Sequence, residues 1–243
     1  MRNYKYYKAF INDIFWFLKR QIFCRNSASI LMYHSVSDEK QFFTVSPEEF
    51  NWQMKYLQNN NYNVISLNDL IKKIQNKEIV NKKTIVITFD DGYEDNFINV
   101  YPILKQYNYP ATIFLSTGLM SGHRNGLKML SWEQIMEMSN YGIDFEPHTQ
   151  THARLTELDN NQAEEEILKS KQDIENNLNK KCTCFAYPWG NYNKETIEIL
   201  KNLEFISAVT VHRGFVSQKI SPYELPRNFV DSWVTKFRFL LKI

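Results

Sequence analysis

The sequence predicts one α/β domain built on a parallel sheet, open or closed into a barrel. Two observations carry that expectation. Apolar, β-branched runs alternate with helical patterns through most of the 243 residues, as in chains whose strands are joined by helical crossovers. Clusters of His, Asp and Tyr follow directly on those apolar runs, and parallel folds place their chemistry at the C-terminal ends of strands. No internal repeat or linker divides the chain.

Residues 1–28 read as a separate basic, aromatic helix. Within residues 1–25, Arg2, Lys5, Lys8, Lys19, Arg20 and Arg25 face Asp13 alone, a net +5. A secretory signal needs an unbroken apolar stretch and a small-residue cleavage site, but Asn12 and Asp13 interrupt this run. The run is also about half the length that crosses a bilayer. Three readings remain: an amphipathic helix on an anionic membrane surface, a helix docked on the domain by its aromatic face, and, behind these two, an uncleaved or atypical signal. Without a clean signal, the expected location is the cytoplasm or the cytoplasmic face of the membrane, with the cell envelope as the alternative.

The domain proper spans 29–243. Ser29–Tyr33 is a buried strand ending at His34. Ser46-Pro47-Glu48-Glu49 opens a helix, with Ser as cap and Pro at the first helical position. Tyr62–Ser66 is a short strand and Asn68–Gln75 a helix. Thr84–Phe89 is a core strand broken by Asp90-Asp91-Gly92. A helix over Asp95–Gln106 and a strand over Ala111–Leu115 follow. Ser131 caps a helix that Gly142 ends. Then come strand Ile143–Glu146, helix Gln162–Asn179, strand Cys184–Ala186, helix Lys194–Asn202, strand Phe205–Val211 and a last strand within Leu225–Val230.

Composition excludes several classes. A net charge of +2 gives no argument for a nucleic-acid partner. Three cysteines, Cys24, Cys182 and Cys184, cannot make a disulfide framework, and they read as reduced, buried thiols.

The chemistry concentrates in two pieces. Adjacent carboxylates Asp90 and Asp91 end an apolar strand, where burial is costly without backbone N–H groups or a cation. His148 and His152 stand four apart just past another strand, among only five His in the chain. Two imidazoles and a carboxylate form a familiar zinc set with a position left for water. Together the two pieces favour a metal site on Asp91, His148 and His152. Zinc suits this donor set best, with cobalt, nickel or ferrous iron as alternatives.

These residues also carry a resemblance. Thr88-Phe89-Asp90-Asp91-Gly92-Tyr93, His148-Thr149-x-x-His152 and Phe185-Ala186-Tyr187-Pro188-Trp189-Gly190 resemble, in order, the motifs of the polysaccharide deacetylases, carbohydrate esterase family 4. Leu130-Ser131-Trp132 and Leu225-Pro226-Arg227 fit as well. The resemblance implies a distorted (β/α) barrel, commonly seven-stranded, and removal of an acetyl group from an N-acetylhexosamine of a glycan. It implies Asp91, His148 and His152 as ligands of one divalent metal ion, Asp90 as general base, and the backbone N–H of Trp189 as an oxyanion donor. Tyr187 would border the substrate. Separately, the flat faces of Trp132 and Trp189 suit stacking on a sugar, with a place in the core as the other reading of Trp132.

Many family members carry Arg in the third motif, where Ala186 stands here. The sequence is more similar to the branch acting on poly-N-acetylglucosamine and related cell-surface glycans. There the acid His lies near the N-terminus, at the position of His34. Arg227 would either orient Asp90 in place of the missing Arg or make a salt bridge at the surface or rim. His212 competes with His34 for the acid role, and His123 reads as a loop residue. The rival functions are removal of a formyl or O-acetyl group and a catalytically silent carbohydrate-binding domain.

Overall fold

A computed structural model describes residues 2–23 and 26–243, without the side chains of residues 2–7, 9, 20 and 23; Cys24 and Arg25 lie outside it. In chain order the elements are α1 (Arg2–Phe23), β1 (Ser29–Tyr33), β2 (Ser35–Val36), β3 (Thr44–Val45), α2 (Pro47–Asn59), β4 (Asn63–Val64), α3 (Leu67–Gln75) and β5 (Thr84–Phe89). They continue with α4 (Tyr101–Tyr107), β6 (Thr112–Leu115), β7 (His123–Arg124), β8 (Leu127–Lys128), α5 (Trp132–Tyr141) and β9 (Asp144–Pro147). The remainder is α6 (Asn160–Leu178), β10 (Cys184–Ala186), α7 (Lys194–Asn202), β11 (Ser207–Val209), β12 (Asn228–Phe229) and α8 (Lys236–Leu240).

The main sheet runs β12-β1-β5-β6-β9 with β4 added beside β5, and all its pairings are parallel. β10 and β11 form a second parallel pair. The two groups meet through a side chain: buried Glu146 of β9 accepts the N–H groups of Thr183 and Cys184 at 3.0 and 3.1 Å. Burial pushes that carboxyl up to about 8 despite these donors. On the other side, Leu225 bridges to Val209 just before β12.

Alternation along the strands sorts the core. Ile30, Val86, Phe114, Cys184, Ala186 and Val209 from both strand groups pack into one cluster. Their sequence neighbours Leu31, Ile87, Ile113 and Phe185 turn the other way, against the helices. Continuing the rows of Ile30, Val86 and Phe114 by two residues reaches Met32, Thr88 and Ser116, and two more reach His34 and Asp90; His148 lies two residues beyond Glu146 of β9. The catalytic candidates are therefore the ends of rows that begin as core.

Helix starts follow their caps. The hydroxyls of Ser46, Ser66 and Ser131 accept the N–H of the residue three further on, and Ser131 with Gln134 closes a capping box. The helix expected over Asp95–Gln106 is instead a π-helical turn, Asn96–Val100, followed by α4. Pro102 explains the break, because it offers no N–H to an α-helical ladder.

α1 docks on the domain by one face. Asp13 is fully buried and pairs with Arg213, Arg238 and Lys242, the last at 3.1 Å. Phe10 packs against Phe237, and Trp16 lies near Gly214. Cys182 and Cys184 are free and buried, and burial pushes both thiols up.

Candidate active site

Each strand end contributes one part. β5 runs straight into Asp90, whose N–H bonds the Tyr33 carbonyl of β1 at 3.0 Å. The chain then turns away sharply, with Asp91 and Gly92 both left-handed (φ 73° and 86°). Glycine suits the φ of 86° at Gly92, which strains any side chain, and a Cβ there would come 2.6 Å from Leu115 Cδ2 and displace that leucine. Thr149 and His152 are also left-handed (φ 64° and 62°), as is Trp189 (φ 62°). Left-handed backbone is costly for such residues, and three of them, Asp91, His152 and Trp189, line one cavity. The 148–152 turn is held from α6, where Glu166 accepts the Thr151 N–H at 2.9 Å and the Thr151 hydroxyl at 2.8 Å.

Asp90 is clamped. Arg227 Nη1 and Nη2 each donate to one of its oxygens at 2.7 Å. The guanidinium is itself fully buried, and it also donates to the Thr210 carbonyl at 3.0 Å and the Thr88 hydroxyl at 3.2 Å. Burial pushes the Asp90 carboxyl up, but Arg227, with His148 and His34, outweighs this and holds it below its ordinary value. Arg227 is thus a buried bidentate partner of Asp90 rather than a rim salt bridge.

Asp91, His148 and His152 form the second part. Their ligating atoms all lie within 4.8 Å of one another. Asp91 Oδ1 stands 3.2 Å from His152 Nε2 and 3.8 Å from His148 Nε2, yet it is buried without a hydrogen-bond partner. His148 Nδ1 meets the Ala186 carbonyl at 2.7 Å. A carbonyl only accepts, so Nδ1 carries the proton and Nε2 turns a lone pair toward Asp91. Burial holds the His148 imidazole down at about 4, hence neutral at neutral pH. Burial pushes the Asp91 carboxyl up, but His152, His34 and His148 hold it well below the usual carboxylate range. Three lone-pair donors with an orphaned buried oxygen between them fit a divalent cation.

The cavity above these groups measures about 600 Å³ and is lined by both Asp, His34, His148, His152 and Trp189, among others. This is within the range of small-molecule sites. His34 is half-buried between Phe43 and Phe229, and its Nδ1 has no hydrogen-bond partner. Trp189 is 55% exposed and meets His152 edge-on at 5.0 Å.

Two expected substrate contacts are corrected. Tyr187 continues the outward row of Phe185: it is fully buried, stacks on Tyr192 and donates to the Tyr223 carbonyl at 3.1 Å. Trp132 lies in the first turn of α5 and packs on the hydrophobic core, away from the cavity lining. His212 and His123 do not line the cavity either.

The sequence reading missed Arg124, whose Nε lies 3.5 Å from Asp91 Oδ2, and the aromatic wall of Phe42, Phe43, Tyr93 and Phe229. The signal for Arg124 was present. Asn125-Gly126, both left-handed (φ 51° and 80°), form the two-residue turn of the β7–β8 hairpin. Adjacent residues on a strand point to opposite faces, so His123 faces out and Arg124 in.

The comparisons agree with this geometry. The family described as polysaccharide deacetylase matches residues 77–207. YxkH of Bacillus subtilis is 35% identical over 198 residues, covering 82% of this chain and 69% of that protein. The poly-beta-1,6-N-acetyl-D-glucosamine N-deacetylase of Staphylococcus epidermidis is 30% identical over 233 residues, covering 86% and 80%. Among solved structures, the Streptococcus pyogenes deacetylase PplD in complex with acetate aligns with a TM-score of 0.81 at 28% identity, over 89% of this chain and 97% of that one. The fold, the ordered motifs and these matches lead to one conclusion: the chain belongs to the polysaccharide deacetylase family.

Proposed function

We propose that this protein is a metal-dependent hydrolase that removes the N-acetyl group from N-acetylhexosamine residues of a cell-surface polysaccharide. The observation that carries the reading is the pairing, on one cavity wall, of the Asp91–His148–His152 donor set with an Asp90 locked by Arg227. Zinc is the favoured occupant of that donor set. A divalent cation held there supplies Lewis acidity toward the acetyl carbonyl and toward water.

The chain's own groups do the rest. Asp90 takes the proton of the attacking water through a lone pair that Arg227 leaves free. Arg227 fixes the direction of that carboxylate. The Trp189 N–H supports the developing oxyanion. His34, across the cavity, delivers a proton to the leaving amine. The name of the staphylococcal relative favours an N-acetylglucosamine polymer as substrate. Independently of that reading, we propose that residues 1–25 attach to an anionic membrane surface through their basic charge and the apolar side chains that α1 leaves exposed.

The test is acetate release from β-1,6-linked N-acetylglucosamine oligomers. Release is expected, with loss on chelation and recovery on adding back a divalent ion. A chelated protein of undiminished activity would sink the metal-dependent mechanism. Release of formyl or O-acetyl groups only would move the function to a different deacylase, and no release from any acylated glycan would favour a silent carbohydrate binder.

His34 gives a separate expectation. His34→Ala should lower turnover by roughly a hundredfold or more, the usual worth of a general acid, and leave metal content near wild type. Normal turnover in His34→Ala with loss in His212→Ala would transfer the acid role to His212.

A further inference from the structure

We infer that α1 is a two-faced adaptor, clamped to the base of the domain by one side and seated in an anionic lipid surface by the other, so that the catalytic mouth points away from the bilayer. This rests on the deacetylase reading only for the substrate consequence drawn below; the lipid contact and the orientation stand on the helix alone.

At 3.6 residues per turn, Ile11, Phe15, Leu18 and Ile22 all fall within about 40° of the point opposite Asp13. The structure agrees: Asp13 is fully buried, while these four are 65, 58, 53 and 66% exposed. Four large apolar side chains in one stripe exceed the scattered exposure of ordinary surfaces. Exposed Lys8 and Lys19 flank the stripe, and the segment's net +5 complements anionic headgroups. No described helix is long and apolar enough to cross a membrane, so the lipid contact of α1 is one along the interface rather than a crossing. The charge argues for lipid over a second copy of the chain, because two such helices would bring like charges together.

The orientation follows from what the buried face touches. Lys242, a partner of Asp13, also accepts through its carbonyl from Ser29, the first residue of β1. Phe17 and Gln21 border a depression with Tyr62, Lys82 and Lys83, just before β4 and β5 begin. α1 therefore lies across the N-terminal ends of the parallel strands, and Asp90 and His34 lie at the C-terminal ends. The six residues of β5 alone separate the two by roughly 17 Å. A sugar held against the headgroups cannot reach the mouth of a protein seated in this way. The substrate is then a polymer strand standing clear of the bilayer, rather than a sugar still attached to a short lipid carrier.

Co-sedimentation of the full chain with phosphatidylglycerol-rich vesicles tests the contact. Binding is expected, weakened by salt, and reduced about tenfold or more in Phe15→Ser/Leu18→Ser, whose acetate release from soluble oligomers is unchanged. No binding, equal binding by the variant, or a dimer that the variant renders monomeric would overturn it. In a Cys24→Ser background, a fluorophore at Asn12→Cys should be quenched by nitroxide-labelled lipid and one at His123→Cys should not; equal quenching overturns the orientation whatever the activity. Finally, oligomers tethered to the vesicles by long spacers should be deacetylated and short-tethered ones spared. Equal rates overturn the substrate inference, whereas failure on soluble oligomers too would indict the deacetylase reading instead.

Discussion

Asp90→Asn should lower turnover by roughly 10²–10⁴-fold, the range of a lost general base, with metal content near wild type. The amide keeps the shape of the carboxylate but cannot take a proton. Metal content is the discriminating measurement, because Asp90 gives both its oxygens to Arg227 and Asp91 faces the imidazoles. Loss of metal together with activity would place Asp90 among the ligands. Full activity would remove it from the mechanism. The substitution also has a structural cost, since an Asn amide must turn an N–H toward one guanidinium N–H. Some loss of melting temperature is therefore expected, and turnover should be measured well below the transition.

Arg227→Met should be the most damaging single change to the fold near the site. It leaves Asp90 buried without its partner, and breaking a buried pair in this way costs on the order of 3–5 kcal/mol. For a chain of this length, that is a fall of roughly 6–20 °C in melting temperature. Turnover should fall as well, because the base is no longer aimed. Arg227→Lys should recover part of the stability and little of the rate, as an ammonium cannot reproduce two parallel N–H···O contacts. If the Lys variant matched wild type in kcat, Arg227 would be a charge partner only and not a positioning residue.

The sequence made the site's donors legible because they lie in short motifs directly after branched apolar strands. Asp90-Asp91 and His148/His152 needed no tertiary knowledge beyond the rule that parallel strands deliver chemistry at their C-terminal ends. Arg227 was reachable only through a family resemblance, since its partner is 137 residues away. Tyr187 was misplaced although its alternation was readable: Cys184 and Ala186 are inner-row residues, so Phe185 and Tyr187 had to face the helices. Trp132 shows the opposite problem, because an aromatic in a helix's first turn can face core or cavity and only packing decides. The β4 and β11 strands, Asn63–Val64 and Ser207–Val209, are shorter than the apolar runs that suggested them. A run marks what is buried, whereas a strand ends where its neighbour does.

Two of the buried carboxylates, Asp13 and Asp90, have a consequence for how the chain is made. Asp13 waits for Arg213, Arg238 and Lys242, and Asp90 waits for Arg227. All four cations lie between residues 213 and 242, so a ribosome delivers both acids long before any of their counter-ions. Until that segment emerges, neither α1 nor the end of β5 can be buried without an uncompensated charge. Vectorial synthesis would therefore leave the helix and Asp90 unset until residues 213–242 are available, and then set both in one closing event.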